Sequence, residues 1–193
     1  MREVLMLFDN ASNNKFSRGA PRFVEALWIF VSAMFVTSWL PGSAWRCTLL
    51  RLFGARIGRG VVIKPGVQVK FPWRLHIGSH TWIGEHAWID NLAVVTIGDH
   101  ACISQGVYLC TGNHDWSRGS FDLITQPILI EDGAWVGAFS KLAPGTIMRK
   151  RAVLTLGSVG SRELEPNTVY RGNPAKRVMP RPNNAKETSN AEP

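Results

Sequence analysis

The sequence predicts an all-β solenoid, a β-helix of about five triangular coils. Three observations carry this. An aliphatic residue recurs every sixth position from about 57 to 164, as in Ile57-Gly58-Arg59-Gly60-Val61-Val62 followed by Ile63-Lys64-Pro65-Gly66-Val67-Gln68. A small residue tends to stand four places on, as at Val61, Thr81, Ala87, Ala101, Ala134, Ser140 and Thr146. The beat breaks at length only once, between Leu109 and Ile130. A short fixed period marks a solenoid, and a period of six belongs to β-helices. A β-sandwich would instead alternate every second residue, with turns about every eight to twelve.

Six residues suit a short strand and a corner, and three such units close one coil. Coils starting at Ile57, Ile77 and Ile97 are twenty residues apart, whereas Ile130 to Met148 is a step of eighteen. The two extra residues are expected as corner bulges. The aliphatic first positions are expected to stack inside as ladders. Gly or Asp at the second position suits a corner. Each coil touches only its neighbours, so both ends need caps.

Before the coils comes a polar arm over 1–22, then a segment over 23–54. Residues 26–40 of that segment carry no charge, yet fall short of the roughly 20 residues of a spanning helix. No small-residue cleavage site follows, so a secretory signal is not expected. Three readings stay open: a cap over the end of the solenoid, a helix in the membrane interface with Arg46, Arg51, Arg56 and Arg59 on anionic headgroups, or a true span. A second helix is expected over about 43–53. The β-helix itself is expected over 55–170, with a loop over 111–129. A basic tail over 171–193 follows, polar and disordered from 183.

The 193 residues carry a formal charge of +8, which suits anionic partners such as phosphates or an anionic membrane surface. No nucleic-acid motif is present, so no nucleic-acid partner is expected. Cys47, Cys102 and Cys110 lack CxxC spacing and fit free thiols in a reducing cytoplasm.

The long interruption opens Thr111-Gly112-Asn113-His114-Asp115-Trp116. A solenoid pushes insertions outward, often on its binding face. A histidine there suits acid-base work, because its pKa lies near working pH. A structural loop histidine is the plainer alternative. Asp115, Asp122 or a backbone carbonyl are the choices for orienting its ring. Asp115 is the weaker of the carboxylates, since adjacent residues on an extended chain point apart. Cys110, four residues earlier, is a second nucleophile to weigh. Asn113, Asp90 and Asn91 stand at or near corners, where they serve either an acceptor or local Asx turns. Trp82, Trp88, Trp116 and Trp135 could wall a sugar site or pack between subunits.

Five strings go beyond the beat: Leu52-Phe53-Gly54-Ala55-Arg56-Ile57-Gly58, Ile103-Ser104-Gln105, Tyr108-Leu109-Cys110-Thr111-Gly112-Asn113-His114-Asp115, Ile130-Glu131-Asp132-Gly133-Ala134-Trp135-Val136-Gly137 and Gly172-Asn173-Pro174-Ala175. With them the chain resembles the left-handed β-helix acyltransferases with hexapeptide repeats. Within these it is most similar to the acetyltransferases of colanic-acid-type exopolysaccharide synthesis. The resemblance covers about 45–180. It implies a left-handed coil, a homotrimer with sites between subunits, and acetyl-CoA as cosubstrate without a metal. It implies His114 as the base that takes a proton from a sugar hydroxyl or lipid-linked saccharide, with direct transfer. The Ala138 N–H would hold the oxyanion, and Asn113, Asp90, Asn91, Asp115 and Trp116 would contact the acceptor. Trp135, Gly137, Ala138, Gly157 and Ser158 would line the pantetheine arm. Arg162, Lys176 and Arg177 would meet the phosphates. Met148-Arg149-Lys150-Arg151 lacks the Gly and acidic residue usual at that corner, and Leu156 replaces a small residue.

The implied enzyme is cytoplasmic, peripheral at the inner membrane face if the interfacial reading holds. The alternatives are an N-acyltransferase on an amino sugar, a non-catalytic scaffold, and a zinc carbonic anhydrase. The last needs three histidines across an interface. This chain has His76, His80, His86, His100 and His114, with no second histidine close after His114.

Overall fold

The computed structural model describes residues 16–182. Most of the expected polar arm, and all of the tail from 183, lie outside the described residues.

An apolar helix opens the described chain. Helix α1, Arg22–Val31, starts after Pro21, whose fixed φ of −60° suits a helix entrance. It runs on into a π-helical turn, Ser32–Val36. A second helix, α2, spans Ala44–Leu52. Among the described residues no helix is long and apolar enough to cross a membrane.

These helices cover the first edge of the solenoid, where strand carbonyls and N–H groups have no neighbouring coil. Arg51 donates to the carbonyls of Ile57 (3.0 Å) and Gly58 (2.8 Å) on the first face. Ser43 Oγ donates to the Ile63 carbonyl and accepts from its N–H, both at 3.1 Å, on the second. Trp28 Nε1 donates to the Val69 carbonyl at 2.9 Å on the third. Leu50 and Trp28 bury their side chains against the core.

Arg46 departs from the sequence expectation. Rather than facing lipid headgroups, it is fully buried and binds four backbone carbonyls. Its Nε donates to Val36 (3.0 Å), Nη1 to Gly42 (2.6 Å), and Nη2 to Ser38 and Leu40 (each 2.6 Å). These carbonyls end the π-turn and form the loop after it, where no helical partner exists.

The coils stack as three parallel sheets. Face A runs β1 (Arg56–Ile57), β4 (Leu75–Ile77), β7 (Val95–Ile97), β12 (Ile128–Ile130), β15 (Ile147–Met148) and β18 (Glu163–Leu164). Face B runs β2 (Val62–Ile63), β5 (Trp82–Ile83), β8 (Cys102–Ile103), β13 (Trp135–Val136), β16 (Val153–Leu154), β19 (Thr168–Gly172) and β20 (Ala175–Pro180). Face C runs β3 (Gln68–Val69), β6 (Trp88–Asp90), β9 (Tyr108–Cys110), β14 (Lys141–Leu142) and β17 (Val159–Gly160). Face A therefore has six rungs, and the solenoid about six coils rather than five. The last coil was hidden because the step shortens: Ile130 pairs with Met148 but Met148 with Leu164, a step of sixteen.

The predicted ladders line the core. Ile83, Ile103, Val136 and Leu154 align in register and are inaccessible to solvent. The corners refine the expectation. The left-handed residue is the fourth of each unit, as at Gly60, His80, His100, Gly133 and Arg151. Glycine at the second position answers a different need: a Cβ on Gly137 would lie 2.7 Å from the Leu154 carbonyl oxygen. At the far end β19 turns back into antiparallel β20, with Arg171 opposite Lys176.

Candidate active site

The third coil leaves the triangle after β9. Thr111, fully buried, marks the exit: its Oγ1 donates to the Asp90 carbonyl at 2.9 Å and accepts from the Ala93 N–H at 2.9 Å. The expected loop is partly a hairpin. Strands β10 (Gly112–His114) and β11 (Leu123–Thr125) pair antiparallel, with His114 opposite Leu123.

His114 is fixed by Phe121. Its Nδ1 lies 2.8 Å from the Phe121 carbonyl oxygen. A carbonyl only accepts, so Nδ1 is the donor, and in the neutral ring the lone pair is on Nε2. The two rings stack with centroids 4.4 Å apart and 6° from parallel. Phe121 adopts φ +48°, a left-handed conformation that a bulky residue rarely takes. Of the three orienting partners considered, the backbone carbonyl is the one in place.

Neither carboxylate touches the ring. Asp115 Oδ1 accepts from the Ser117 N–H (3.1 Å) and hydroxyl (2.5 Å), and Arg118 Nε stands 3.3 Å from Oδ2. The Ser117 hydroxyl above all holds the Asp115 carboxyl below its usual range. Asp122 accepts from Ser120 Oγ at 2.8 Å. Asp115 thus shapes the hairpin turn. Asn113 is exposed, and its Oδ1 accepts the His114 N–H at 2.8 Å. Trp116 stands near the tip, 82% exposed. Cys110 Sγ lies 3.1 Å from the Gly112 carbonyl oxygen.

Asp90 and Asn91, adjacent in sequence, have separate roles. Asn91 is fully buried, with Oδ1 accepting the Phe71 N–H at 2.9 Å and Nδ2 donating to the Phe71 carbonyl at 2.7 Å. Both ends of its amide are spent on the corner below, so it is a frame residue and presents nothing to an acceptor. Asp90 points outward on face C. It pairs with Lys70 at 2.9 Å and accepts from the Tyr108 hydroxyl at 3.0 Å. Burial first, then the hydrogen bonds with Cys110 and Asp90, push the Tyr108 phenol far above its ordinary range. Trp88 leans on Tyr108 with centroids 4.6 Å apart.

The residues expected along a pantetheine arm gather at the corner between faces B and C. Gly137 and Ala138 occupy it on the fourth coil, Gly157 and Ser158 on the fifth. The Gly137 N–H donates to Leu154, and the Gly157 N–H to the Ala138 carbonyl (2.9 Å). Among the described residues nothing bonds the Ala138 N–H. Ser158 differs: it is buried, its N–H donates to Ser140 Oγ, its carbonyl accepts from Lys141, and its hydroxyl accepts from the Gly172 N–H at 3.0 Å. That last bond brings the β19–β20 turn, with exposed Lys176 and Arg177, to the end of this corner. Trp135 stands just before the corner, Nε1 donating to Ser104 Oγ at 2.9 Å. Leu156 and Gly157 are exposed at this corner, whereas Gly137, Ala138 and Ser158 are buried. Arg162 lies past β17, at the opposite end of face C.

His114 and Ala138 also stand apart within one chain. Ala138 precedes β14 at the start of face C, whereas His114 follows β9 at its end, on the neighbouring rung. A cavity of about 530 Å³ is at neither place. It lies between the apolar helix and face C, against Trp28, Ile29, Lys70, Phe71 and Trp88. Among the described residues no three His, Cys, Asp or Glu side chains gather as a metal-binding group.

The chain is 39% identical over 160 residues to the Escherichia coli protein named "Putative colanic acid biosynthesis acetyltransferase WcaF", covering 82% of this chain and 87% of that one. The chain belongs to this acetyltransferase family. The acetyltransferase is also 28% identical over 134 residues to Escherichia coli galactoside O-acetyltransferase, covering 68% of this chain and 66% of the other. No protein-family model matches it. Its coil superimposes on a hexapeptide-repeat acetyltransferase from Vibrio cholerae, solved with acetyl-CoA, at a TM-score of 0.78 and 23% identity, over 92% of this chain and 99% of that one. The fold of this acetyltransferase is thus the left-handed parallel β-helix.

Sequence reasoning missed Phe121, Ser104 and Tyr108. Phe121 follows His114 by seven residues in an aperiodic stretch, and only the hairpin register shows that they meet. Ser104 had one available signal, its place in the Ile103-Ser104-Gln105 string.

Proposed function

We propose that this acetyltransferase moves the acetyl group of acetyl-CoA to a sugar hydroxyl of a surface polysaccharide or its precursor, with His114 as general base. The observation that carries the reading is the Nδ1 bond to the Phe121 carbonyl, which leaves Nε2 as a free acceptor at the hairpin. The acceptor hydroxyl gives its proton to His114 Nε2 while its oxygen bonds to the thioester carbonyl carbon. Charge then grows on the carbonyl oxygen, for which the Ala138 N–H is the donor. Collapse breaks the C–S bond, and His114 returns the proton to the departing thiolate sulfur. The products are an O-acetyl sugar and coenzyme A.

The placement of His114 and Ala138 at opposite ends of face C supports a site shared by neighbouring chains, with one residue from each. A homotrimer meets this need three times over. Pantetheine would then follow Gly137, Ala138 and Gly157 past Trp135, toward Lys176 and Arg177. Arg162, at the far end of face C, would reach the phosphates of a neighbour's cosubstrate. Asn113, Asp90 and Trp116 would meet the acceptor, with Trp88 and Tyr108 as a ring platform. The relatives named for colanic acid synthesis and for galactoside O-acetylation support a sugar acceptor. Thiol release from acetyl-CoA across a panel of sugars and amino sugars tests the reading. Release with a hydroxyl acceptor upholds it, and release with amino sugars alone assigns N-acylation instead.

A further inference from the structure

The helical end of the solenoid displays a row of exposed apolar side chains. Phe23 (73%), Ile29 (62%), Phe30 (61%), Met34 (57%) and Trp39 (82%) are strongly exposed on the first helix and its loop. No ionisable side chain occurs over residues 26–45. Exposure of this kind on a contiguous element marks an interaction site rather than scattered surface residues.

Two independent features select the partner. The first is Arg46. A loop that enters an apolar phase must satisfy its carbonyls internally, since no water is there to do so. Arg46 does this for Val36, Ser38, Leu40 and Gly42, so four carbonyls of the π-turn and of the loop that displays Trp39 and Leu40 are already bound. The second is charge. Residues 16–60 contain six arginines and one acid, Glu25, which pairs with Arg18. Arg22, Arg56 and Arg59 are exposed at this same end of the solenoid. An apolar face with a basic surround fits an anionic bilayer, and attraction to anionic headgroups adds to apolar insertion.

We propose that α1, the π-turn and the Trp39 loop form a monotopic docking element that lies in the interface of an anionic membrane. It positions the solenoid end-on, with α2 and the first coil toward the lipid. This inference stands apart from the proposed chemistry, because vesicle binding is read without turnover.

The test is flotation of the full chain with vesicles of phosphatidylcholine alone, or with one third phosphatidylglycerol. Phe30→Glu with Met34→Glu is the partner variant, since both side chains are exposed and the fold does not need them. Wild type is expected to float with the anionic vesicles, and the variant to partition at least tenfold less. Its mass by light scattering and its melting temperature should not change. Wild type that stays unbound on both compositions would overturn the proposal. A change of oligomeric mass in the variant would overturn it too, by assigning the face to a second copy of the chain.

Discussion

His114 and Phe121 act as one unit: the imidazole lies flat on the phenyl ring, and its Nδ1 is 2.8 Å from the Phe121 carbonyl oxygen. The backbone fixes the tautomer and the ring fixes the plane. Phe121→Ala keeps the carbonyl and removes the stacking surface. A base displaced by a fraction of an ångström is expected to lower kcat by about ten- to a hundredfold. The KM for acetyl-CoA should hold, since Phe121 positions the base and is not among the residues proposed to line the pantetheine arm. Steady-state kinetics with both substrates varied would check the split.

Asp90 and Asn91 separate a proposed acceptor contact from a frame residue. Asn91→Ala leaves the buried N–H and carbonyl of Phe71 without partners, at a cost of about 2–4 kcal/mol in stability. Denaturant unfolding should show this loss. Asp90→Ala removes the largely covered partner of Lys70 and Tyr108, and is expected to raise the acceptor KM with a smaller loss of stability than Asn91→Ala.

The burial of Arg46 gives a sharper stability prediction. Arg46→Met removes five donors of one guanidinium while four carbonyls keep facing inward. The loss should reach about 3 kcal/mol or more. Arg46→Lys should not rescue it, because a single ammonium cannot span four acceptors set around a planar fork. Thermal melts of both variants decide the point.

Much of this molecule was legible in its sequence, and the boundary of legibility is physical. The ladder from Ile63 to Leu154 follows from a period that chain geometry enforces, so the fold could be read. The sixth coil could not, because the step falls to sixteen between Met148 and Leu164. The first edge needed a cap, but periodicity says nothing about which donors supply it, and Ser43, Arg51 and Trp28 appear only in the structure. His114 stands out as a candidate because an insertion carries it. Phe121 was not, because its role rests on a carbonyl and a left-handed φ that no residue type announces.

Corner geometry yields a further test. Gly106 has φ +65°, and a Cβ there would lie 2.5 Å from the Phe139 ring. Gly106→Ala therefore meets both backbone strain and a clash, and should cost about 1–3 kcal/mol. Replacing Phe139 with Ala in the same chain relieves only the clash, so part of the loss should return.

The acid limb of stability should depend on Glu131. Its carboxyl is held below the usual range, first by the Arg149 guanidinium at 2.9 Å and then by the Lys150 N–H. A depressed carboxylate stabilises the fold above its unfolded pKa of about 4.3 and loses that effect as pH falls through the folded value. Glu131→Gln should thus melt below wild type at neutral pH. The gap should close as the pH drops below about 4.

The most direct test of the account is acetyl-CoA binding and turnover measured side by side for wild type and His114→Ala. Calorimetry should give equal binding for both, while thiol release with a sugar acceptor falls by about a hundred- to ten-thousandfold in the variant. Turnover that survives the substitution would contradict the base assigned to His114.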